Sequence, residues 1–279
     1  MVMCVMGIKL GCHKWTFPAA TCLEAARLIR ALDLDYMDLG NAIDLDPSYI
    51  AQYPLEEAER FRRIAAKTGI HFVDCFPQWR PDDFSNNSPD PNLLSSIRRT
   101  WAGFFRFAAA IGLRGITLSP GCYWPGEPAT ASFERGADEL RWAVAEARGH
   151  ELHLRIEPHI QSVTWTPELA VEMCHRVPGL SLTIDHSHFT FHGIPYEQIA
   201  ATHPYGTHWH ARQARPGEAQ CRFHDGAIPF ERIVDDLRTQ GYDGIICFEY
   251  VHSSWMAQDR VDCVTETIQL RDQLQSLLA

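Results

Sequence analysis

The sequence predicts an α/β fold in which eight parallel strands alternate with eight helices in a single (β/α)8 barrel over residues 1–279. Short apolar runs alternate with longer amphipathic segments eight times along the chain. No linker, low-complexity tract or change in composition divides the sequence into two domains. A doubly wound open sheet is the alternative, but residues 11–14 (GCHK) do not form the Gly-rich phosphate turn that usually follows its first strand.

The strands are predicted from short apolar or β-branched runs, which are typical of strands covered on both faces. They cover residues 8–12, 36–39, 70–74, 114–119, 153–157, 182–185, 206–210 and 244–249. In the sixth strand, three such residues run directly into Asp185, and His186 and His188 follow. A carboxylate at the end of a buried strand is costly unless a cation compensates its charge, although a solvated Asp that caps the next helix is the simpler alternative.

The helices are predicted from apolar residues at helical spacing and from their start and stop signals. They cover residues 21–31, 54–68, 92–110, 132–147, a segment that opens at 166–168, 195–201, 229–239 and 257–278. Thr21 is a candidate N-cap with Glu24 three residues later, and Pro167 stands in a first turn. Gly69 and Gly241 mark helix ends.

Composition and charge narrow the class of protein. With 46% hydrophobic and 22% charged residues the chain can bury a sizeable core, and its formal charge of -10 argues against a broad nucleic-acid surface. No apolar run approaches about 20 residues, so no membrane span is predicted. Residues 1–10 lack the basic start and long apolar region of a signal peptide. The nine cysteines contain no C-x-x-C pair, which suits reduced thiols, and a soluble cytoplasmic protein is expected.

Four consecutive predicted strands end in potential metal ligands, Glu157, Asp185, His210 and Glu249. Because strand C-termini converge on one face of a barrel, these side chains should meet there, and three carboxylates would repel one another without a cation between them. The donor set favours Mn²⁺ as the first expectation, with Co²⁺, Mg²⁺ and Zn²⁺ as alternatives. His208 shares a strand face with His210, so either could be the ligand; His210 is preferred because it is nearer the strand end.

The segments around these residues resemble the xylose isomerase-like TIM-barrel superfamily, which includes ketose 3-epimerases, inosose dehydratases and apurinic endonuclease relatives. The matching segments are residues 156–159 (IEPH), 184–189 (IDHSHF), 208–210 (HWH) and 241–244 (GYDG) leading to 248–249 (FE). Together with the eightfold alternation, the resemblance covers nearly the whole chain.

This resemblance implies a metal held by Glu157, Asp185, His210 and Glu249. In the epimerase branch, one glutamate removes a proton from the ketose and the other returns one, so Glu157 and Glu249 are the expected catalytic residues. The expected function is a divalent-metal-dependent isomerase or epimerase of a small sugar or related hydroxy-carbonyl compound. A lyase of the inosose dehydratase kind is the near alternative, because the same enediolate can expel a β-hydroxyl group.

The resemblance also implies substrate-binding residues. His188, at the Asp-x-x-His position, is expected to bind substrate oxygens. An arginine shortly after the strand-seven histidine is expected to play a similar part, and Arg215 fits this role better than Arg212. Ketose 3-epimerases carry a further glutamate where this chain has Val163, and His159 is expected to supply polar contact instead.

Tryptophans follow three of the predicted strands and are candidates to line the substrate pocket. These are Trp15, Trp79 and Trp124, with Trp15 and Trp124 ahead. Aromatic rings commonly stack on the C–H faces of sugars, although packing is the simpler role for each.

An apurinic endonuclease-like phosphodiesterase is the second hypothesis. That branch uses a trinuclear zinc cluster, and the ends of strands two to four, near Asp38, Asp74 and Ser119, supply no histidine cluster for it. The expected partner is therefore a small sugar-like molecule and not a nucleic acid or a membrane. Members of the superfamily are often dimers or tetramers, so a homodimer or homotetramer is compatible with the resemblance.

Overall fold

The computed structural model describes residues 7–78 and 85–279, and eight strands form one parallel sheet. The strands are β1 Lys9–His13, β2 Tyr36–Gly40, β3 His71–Phe76, β4 Gly115–Leu118, β5 His153–Ile156, β6 Ser181–Asp185, β7 Gly206–Ala211 and β8 Ile245–Phe248. Their order is β3-β2-β1-β8-β7-β6-β5-β4. Because β3 and β4, at the ends of this order, lie side by side, the sheet curls into a nearly closed (β/α)8 barrel. The predicted fold class is confirmed.

Helices connect successive strands and cover the outside of the barrel. They are α1 Cys22–Ala31, α2 Pro47–Gln52, α3 Pro54–Thr68, α4 Pro91–Ala110, α5 Ala129–Arg148, α6 Pro167–Arg176, α7 His186–Phe191, α8 Tyr196–Ile199, α9 Phe230–Thr239 and α10 Cys263–Leu278. Between the helix layer and the sheet lies an apolar core. In it Phe61 of α3 packs edge-on against Phe107 of α4, with ring centroids 5.2 Å apart.

Several predicted helix ends are confirmed by their local hydrogen bonds. Thr21 and Glu24 form a complete capping box at the start of α1. Thr166 caps α6 through its side chain, with Pro167 in the first turn. Gly69 ends α3 with φ of +72°, a conformation that favours glycine because it has no Cβ.

The last predicted helix begins too early in the sequence analysis. Residues 257–262 belong instead to an irregular segment that begins at Trp255. In this segment Met256 and Ala257 have φ of +53° and +56°, outside the helical region. The carboxylate of Asp262 then caps α10 by accepting the N–H groups of Val264 and Thr265. The prediction fails here because apolar residues keep a helical spacing on the N-terminal side of Asp262, the true N-cap.

Two helices, α2 and α7, were not predicted from the sequence. The short α7 begins directly after β6, and Asp185 caps it by accepting the backbone N–H of Ser187 at 2.8 Å. The capping role that was the simpler alternative for Asp185 therefore exists. It occupies one carboxylate oxygen, Oδ1, and leaves Oδ2 directed to other partners.

Polar side chains join the strands at the closing edge of the barrel. Asp74 of β3 accepts a hydrogen bond from Thr117 of β4, and the guanidinium of Arg155 on β5 lies 3.4 Å from the same carboxylate. A Cβ at Gly115 would collide with this guanidinium, so glycine leaves room for the arginine in its present position. These buried contacts hold β3, β4 and β5 together.

Two expectations from composition can be compared with the described residues. No helix in residues 7–78 and 85–279 is long and apolar enough to cross a membrane. Seven cysteines of this part of the chain are free thiols: Cys12, Cys22, Cys75, Cys174, Cys221, Cys247 and Cys263.

Candidate metal centre and substrate pocket

Four side chains from consecutive strand ends converge at the C-terminal end of the barrel. We call Glu157, Asp185, His210 and Glu249 the acidic cluster; their exposures are 1%, 1%, 3% and 1%. One oxygen from each of the three carboxylates lies within 4.8 Å of the others. Nδ1 of His210 lies 2.6 Å from Glu157 Oε1 and 3.4 Å from Glu249 Oε2. The structure therefore brings together the four residues that the sequence analysis grouped.

Burial and the neighbouring charges shift the pKa values of these residues in different directions. Burial, with the charges of Glu157 and Asp185, raises the pKa of Glu249 to about 8. Glu157 is equally buried, but His210 and His188 hold its pKa well below the usual value. Although burial alone would lower it, the adjacent glutamates raise the pKa of His210 well above 6.5. The metal-free cluster thus retains protons that offset its negative charge.

These residues fit a divalent cation. Carboxylate oxygens and an imidazole nitrogen are ordinary ligands of Mn²⁺ and Mg²⁺. The three carboxylate oxygens are close enough to share one ion, and Nδ1 of His210 lies beside two of these carboxylates. Among the described residues, Oε2 of Glu249 is buried without a hydrogen-bond partner, which is costly for a carboxylate oxygen. A cation at the cluster would satisfy this atom and replace the retained protons.

The two histidines of β7 both approach Asp38, but only His210 also reaches the glutamates. Nε2 of His208 lies 2.6 Å from Oδ2 of Asp38, a buried residue of β2, whereas His210 reaches the glutamates. His208 therefore lies on the side of the cluster away from Glu157. This geometry favours His210 over His208 as the metal ligand, the preference already given by its position in the strand.

Arg212, not Arg215, lies at the acidic cluster. Nη2 of Arg212 is 2.8 Å from Asp185 Oδ2 and 3.6 Å from Glu249 Oε2, and only 3% of its side chain is exposed. The side chain of Arg215 is 46% exposed and pairs with Glu218 at 2.6 Å. The preference for Arg215 disagrees with this geometry. Residue alternation could have identified Arg212, because it continues the series of His208 and His210 on one strand face.

His188 and His159 lie beside the cluster. Nε2 of His188 lies 3.6 Å from Asp185 Oδ2 and 3.7 Å from Glu157 Oε2. The ring of His159 is 3.9 Å from that of His188, and its Nδ1 lies 2.9 Å from the carbonyl oxygen of Ile160. Burial and the neighbouring His188 lower the pKa of His159 to about 3, so it is a neutral imidazole.

A cavity of about 520 Å³ opens from the acidic cluster. Glu157, His159, Arg212 and Glu249 line it on one side, and Trp15 lines its wall. The indole N–H of Trp15 donates to the carbonyl oxygen of Asn41 at 3.1 Å, which fixes the ring at this position. The cavity therefore combines a polar, charged end with an aromatic wall.

The other tryptophans differ from expectation. Trp124 is not among the described residues that line the cavity; its indole N–H donates to Asn87 at 2.9 Å. Trp79 lies outside the described residues. Trp255, which sequence reasoning missed, lines the cavity with its ring 5.1 Å from that of His159. No local signal identifies Trp255, because it lies in the irregular segment after β8.

His13 adds a neutral imidazole to the interior of this region. Its Nδ1 accepts the backbone N–H of Trp15 at 3.1 Å, and burial together with His210 lowers its pKa to about 3. A Cβ at Gly40 would lie 2.6 Å from the His13 ring and equally close to the Trp15 ring, so glycine makes room for both. Nε2 of His13 is buried without a hydrogen-bond partner among the described residues.

Comparisons with known proteins agree with this architecture. A family model described as a xylose isomerase-like TIM barrel matches residues 26–274. The chain is 22% identical over 280 residues to a putative L-ribulose-5-phosphate 3-epimerase, UlaE, of Shigella dysenteriae, with 98% of this chain and 95% of that protein covered.

Solved structures of the same fold give two further likenesses. One is the D-psicose 3-epimerase of Clostridium cellulolyticum H10 with D-tagatose, with a TM-score of 0.78, 15% identity, and 97% of this chain and 99% of that chain covered. Another is a xylose isomerase-like TIM-barrel protein of Mycobacterium smegmatis in complex with magnesium, with a TM-score of 0.69, 17% identity and 98% of both chains covered. At such identities the likeness shows a shared fold.

Proposed function

The chain belongs to the xylose isomerase-like TIM-barrel family, and from that premise we propose that it is a divalent-metal-dependent isomerase or epimerase of a small sugar or related hydroxy-carbonyl compound. One observation carries this proposal: three carboxylates and an imidazole meet, almost fully buried, at the base of a cavity with an aromatic wall. The likeness to two proteins named as 3-epimerases of ketoses or their phosphates supports the sugar substrate class.

Glu157, Asp185, His210 and Glu249 would hold the metal. When bound, it would supply Lewis-acid stabilisation of the negative charge that develops on a substrate oxygen as a neighbouring proton leaves. Mn²⁺ is the first expectation from the donor set, and Co²⁺, Mg²⁺ and Zn²⁺ are alternatives. The magnesium complex of the M. smegmatis protein is compatible with a divalent ion on this fold.

Glu157 and Glu249 are the proposed proton-transfer groups. They follow β5 and β8, and one oxygen of each lies within 4.8 Å of the other, so both carboxylates could reach a substrate carbon bound at the cluster. In the metal-free cluster the neighbouring histidines lower the pKa of Glu157, whereas burial and the neighbouring carboxylates raise that of Glu249, so the two carboxylates differ in proton affinity. General acid–base exchange needs two groups within reach of the same carbon, one that removes the proton and one that returns it.

Arg212 and His188 are the proposed ligands of substrate oxygens. The guanidinium of Arg212 lines the cavity, and the two side chains approach within 3.1 Å of each other. Arg212 thus takes the role that the sequence analysis gave to Arg215. The neutral ring of His159 would add a polar contact, and Trp15 would stack on a C–H face of the sugar.

Proton exchange in D2O tests this function directly. The protein with Mn²⁺ is incubated with D-fructose, D-tagatose, D-psicose, L-ribulose 5-phosphate and an inosose, and proton NMR follows loss of the signal adjacent to the carbonyl. We expect Mn²⁺-dependent exchange and an epimer of at least one compound. Glu249→Gln should abolish exchange, whereas Glu266→Gln, a buried glutamate outside the cluster, should retain it.

Two outcomes would contradict the proposal. Absence of exchange with every compound, together with equal behaviour of the Glu249→Gln variant and the wild type, would remove the proton-transfer function. Release of water from the inosose without epimerisation of the ketoses would instead assign the chain to the lyases.

A further inference from the structure

Asp38 makes a contact across the barrel that the proposed function does not use. It belongs to β2, which is separated from β7 by β1 and β8 in the sheet, yet its Oδ2 lies 2.6 Å from Nε2 of His208 and 3.3 Å from Nε2 of His210. The residue is 1% exposed. Both contacts therefore form inside the barrel, away from solvent.

The two ring nitrogens of His210 face different carboxylates. Nδ1 points to Glu157 and Glu249, at 2.6 Å and 3.4 Å, whereas Nε2 points to Asp38. A neutral imidazole can bind a metal through one nitrogen only if the other carries the hydrogen. Because the glutamates lie on the Nδ1 side, Nδ1 is the nitrogen available to a metal at the acidic cluster, and Nε2 must then carry the hydrogen.

We propose that Asp38 is a positioning residue for this metal centre: it accepts the Nε2–H of His210 and so keeps the lone pair of Nδ1 directed to the metal. The inference rests on the proposed metal site. Metal-bound histidines almost always donate their second N–H to a carboxylate, carbonyl or water, which fixes the tautomer and the ring orientation. His208 donates to the same oxygen and thereby holds the Asp38 carboxylate in place.

A purely structural role for Asp38 makes different demands. A buried carboxylate needs partners wherever it lies, and His208 alone would supply one. The second contact, to the metal-side histidine, is what a positioning role requires. Oδ1 of Asp38 has no hydrogen-bond partner among the described residues, so both contacts fall on the one oxygen that faces the two rings.

Mn²⁺ binding by the full-length protein tests this role without any sugar. Electron paramagnetic resonance of free Mn²⁺ gives the Kd of wild type, Asp38→Asn and Asp38→Leu. We expect the Kd to increase about 10- to 100-fold in both variants, the usual effect of removing such a partner. Asp74→Asn is the matched control: Asp74 is equally buried, but it contacts Arg155 and Thr117 instead of a histidine of the cluster. It should bind Mn²⁺ like the wild type.

A second measurement reads the tautomer of His210 in the wild type and does not depend on the folding of the Asp38 variants. Long-range ¹H–¹⁵N NMR of histidine-labelled protein loaded with Mg²⁺, with the His210→Gln spectrum as assignment, should show hydrogen on Nε2 of His210 and none on Nδ1. Hydrogen on Nδ1 would overturn the inference, as would unchanged Mn²⁺ affinity in both Asp38 variants or an equal loss in Asp74→Asn. A wild type that binds no Mn²⁺ would instead overturn the metal centre itself.

Discussion

Arg212 Nη2 lies 2.8 Å from Asp185 Oδ2 in the buried wall of the cavity, while its Nε donates to Ser187 Oγ at 2.9 Å. The guanidinium is thus held by two groups and still contributes to the cavity surface. A planar, doubly held cation is well suited to bind a substrate oxygen, because little conformational freedom remains to be lost when the substrate enters.

Arg212→Lys is expected to lower kcat/KM for the best substrate about 10- to 150-fold, the equivalent of losing a charged hydrogen bond of about 1.5–3 kcal/mol. Lysine keeps the charge but cannot reproduce both contacts. Arg215→Lys is the control and should change kcat/KM less than about threefold, because an exposed ion pair contributes little. An equal loss of kcat/KM in the two variants would show that Arg212 does not bind the substrate.

Metal binding should stabilise the protein more at pH 8 than at pH 6. The pKa of Glu249 is about 8 in the metal-free fold and about 4.5 in the unfolded chain, so the fold retains a proton that the unfolded chain has lost. Stability of the metal-free protein therefore falls as pH rises through this window. The raised pKa of His210 acts in the same direction. A bound cation keeps both ligands deprotonated and removes this loss.

Melting curves with and without Mn²⁺ at pH 6 and pH 8 measure this effect. A free Mn²⁺ concentration 100 times the Kd at pH 8 gives a gain of about 2.7 kcal/mol at that pH. The same concentration should give a smaller gain at pH 6, where the Kd is higher. Glu249→Gln should reduce the difference between the two pH values. If Mn²⁺ stabilised the protein equally at pH 6 and pH 8, Glu249 would not be a metal ligand that carries a proton in the metal-free fold.

The protein should lose stability in mild acid because of a buried histidine pair outside the cluster. Nε2 of His186 lies 3.0 Å from Nε2 of His203, and burial lowers their pKa values to about 3 and about 4. The unfolded chain binds these protons near pH 6.5 and the fold does not, so stability is lost as pH falls below about 6.5. Each neutral histidine contributes a slope of up to about 1.4 kcal/mol per pH unit.

Urea unfolding between pH 7 and pH 4.5 gives this slope. His203→Gln should unfold more easily at pH 7, since its contact with His186 is changed, but its stability should fall less steeply in acid. His175→Gln provides the comparison, because that histidine is exposed and contacts Tyr205 instead. Identical slopes for wild type and His203→Gln would show that the pair does not determine the acid sensitivity.

Gln220 is expected to control substrate affinity through the segment that carries Trp255. Its side-chain oxygen accepts the N–H of Val251 at 2.7 Å, and its amide donates to the carbonyl oxygens of Val251 and Gln258 at 2.9 Å and 2.8 Å. Gln220→Leu removes these three bonds. It should raise KM as Trp255→Ala does, with a smaller effect on kcat, because the cavity wall is displaced while the acidic cluster is unchanged.

Steady-state kinetics and Mn²⁺ titration together check this expectation. The Kd for Mn²⁺ should be the same in wild type and Gln220→Leu. Gln273→Leu, which breaks a hydrogen bond to Glu231 on the protein surface, should leave KM unchanged. A Gln220→Leu variant with unaltered KM would mean that the segment after β8 does not contact the substrate.

The sequence by itself determined the barrel and the strand ends at which the cluster forms. These features depend on local rules: apolar runs, Pro and Gly at helix ends, and side-chain alternation. The predicted helix 54–68 has the bounds of α3 because Pro54 and Gly69 mark its ends within one turn. Glu157, Asp185 and Glu249 could be grouped because parallel strands bring their C-termini to one face.

Only the tertiary structure decided which groups surround that cluster. Asp38 contacts His208 over a separation of 170 residues, and no local pattern encodes such a pairing. Trp255 lies beside His159 because the backbone at Met256 and Ala257 leaves the helical region, contrary to the apolar spacing. The family resemblance favoured Arg215, whereas the contacts of Arg212 with Asp185 and Glu249 appear only in the folded barrel. These details depend on contacts between residues far apart in the sequence. Such contacts lower the entropy of the chain and become favourable only when the rest of the fold has formed.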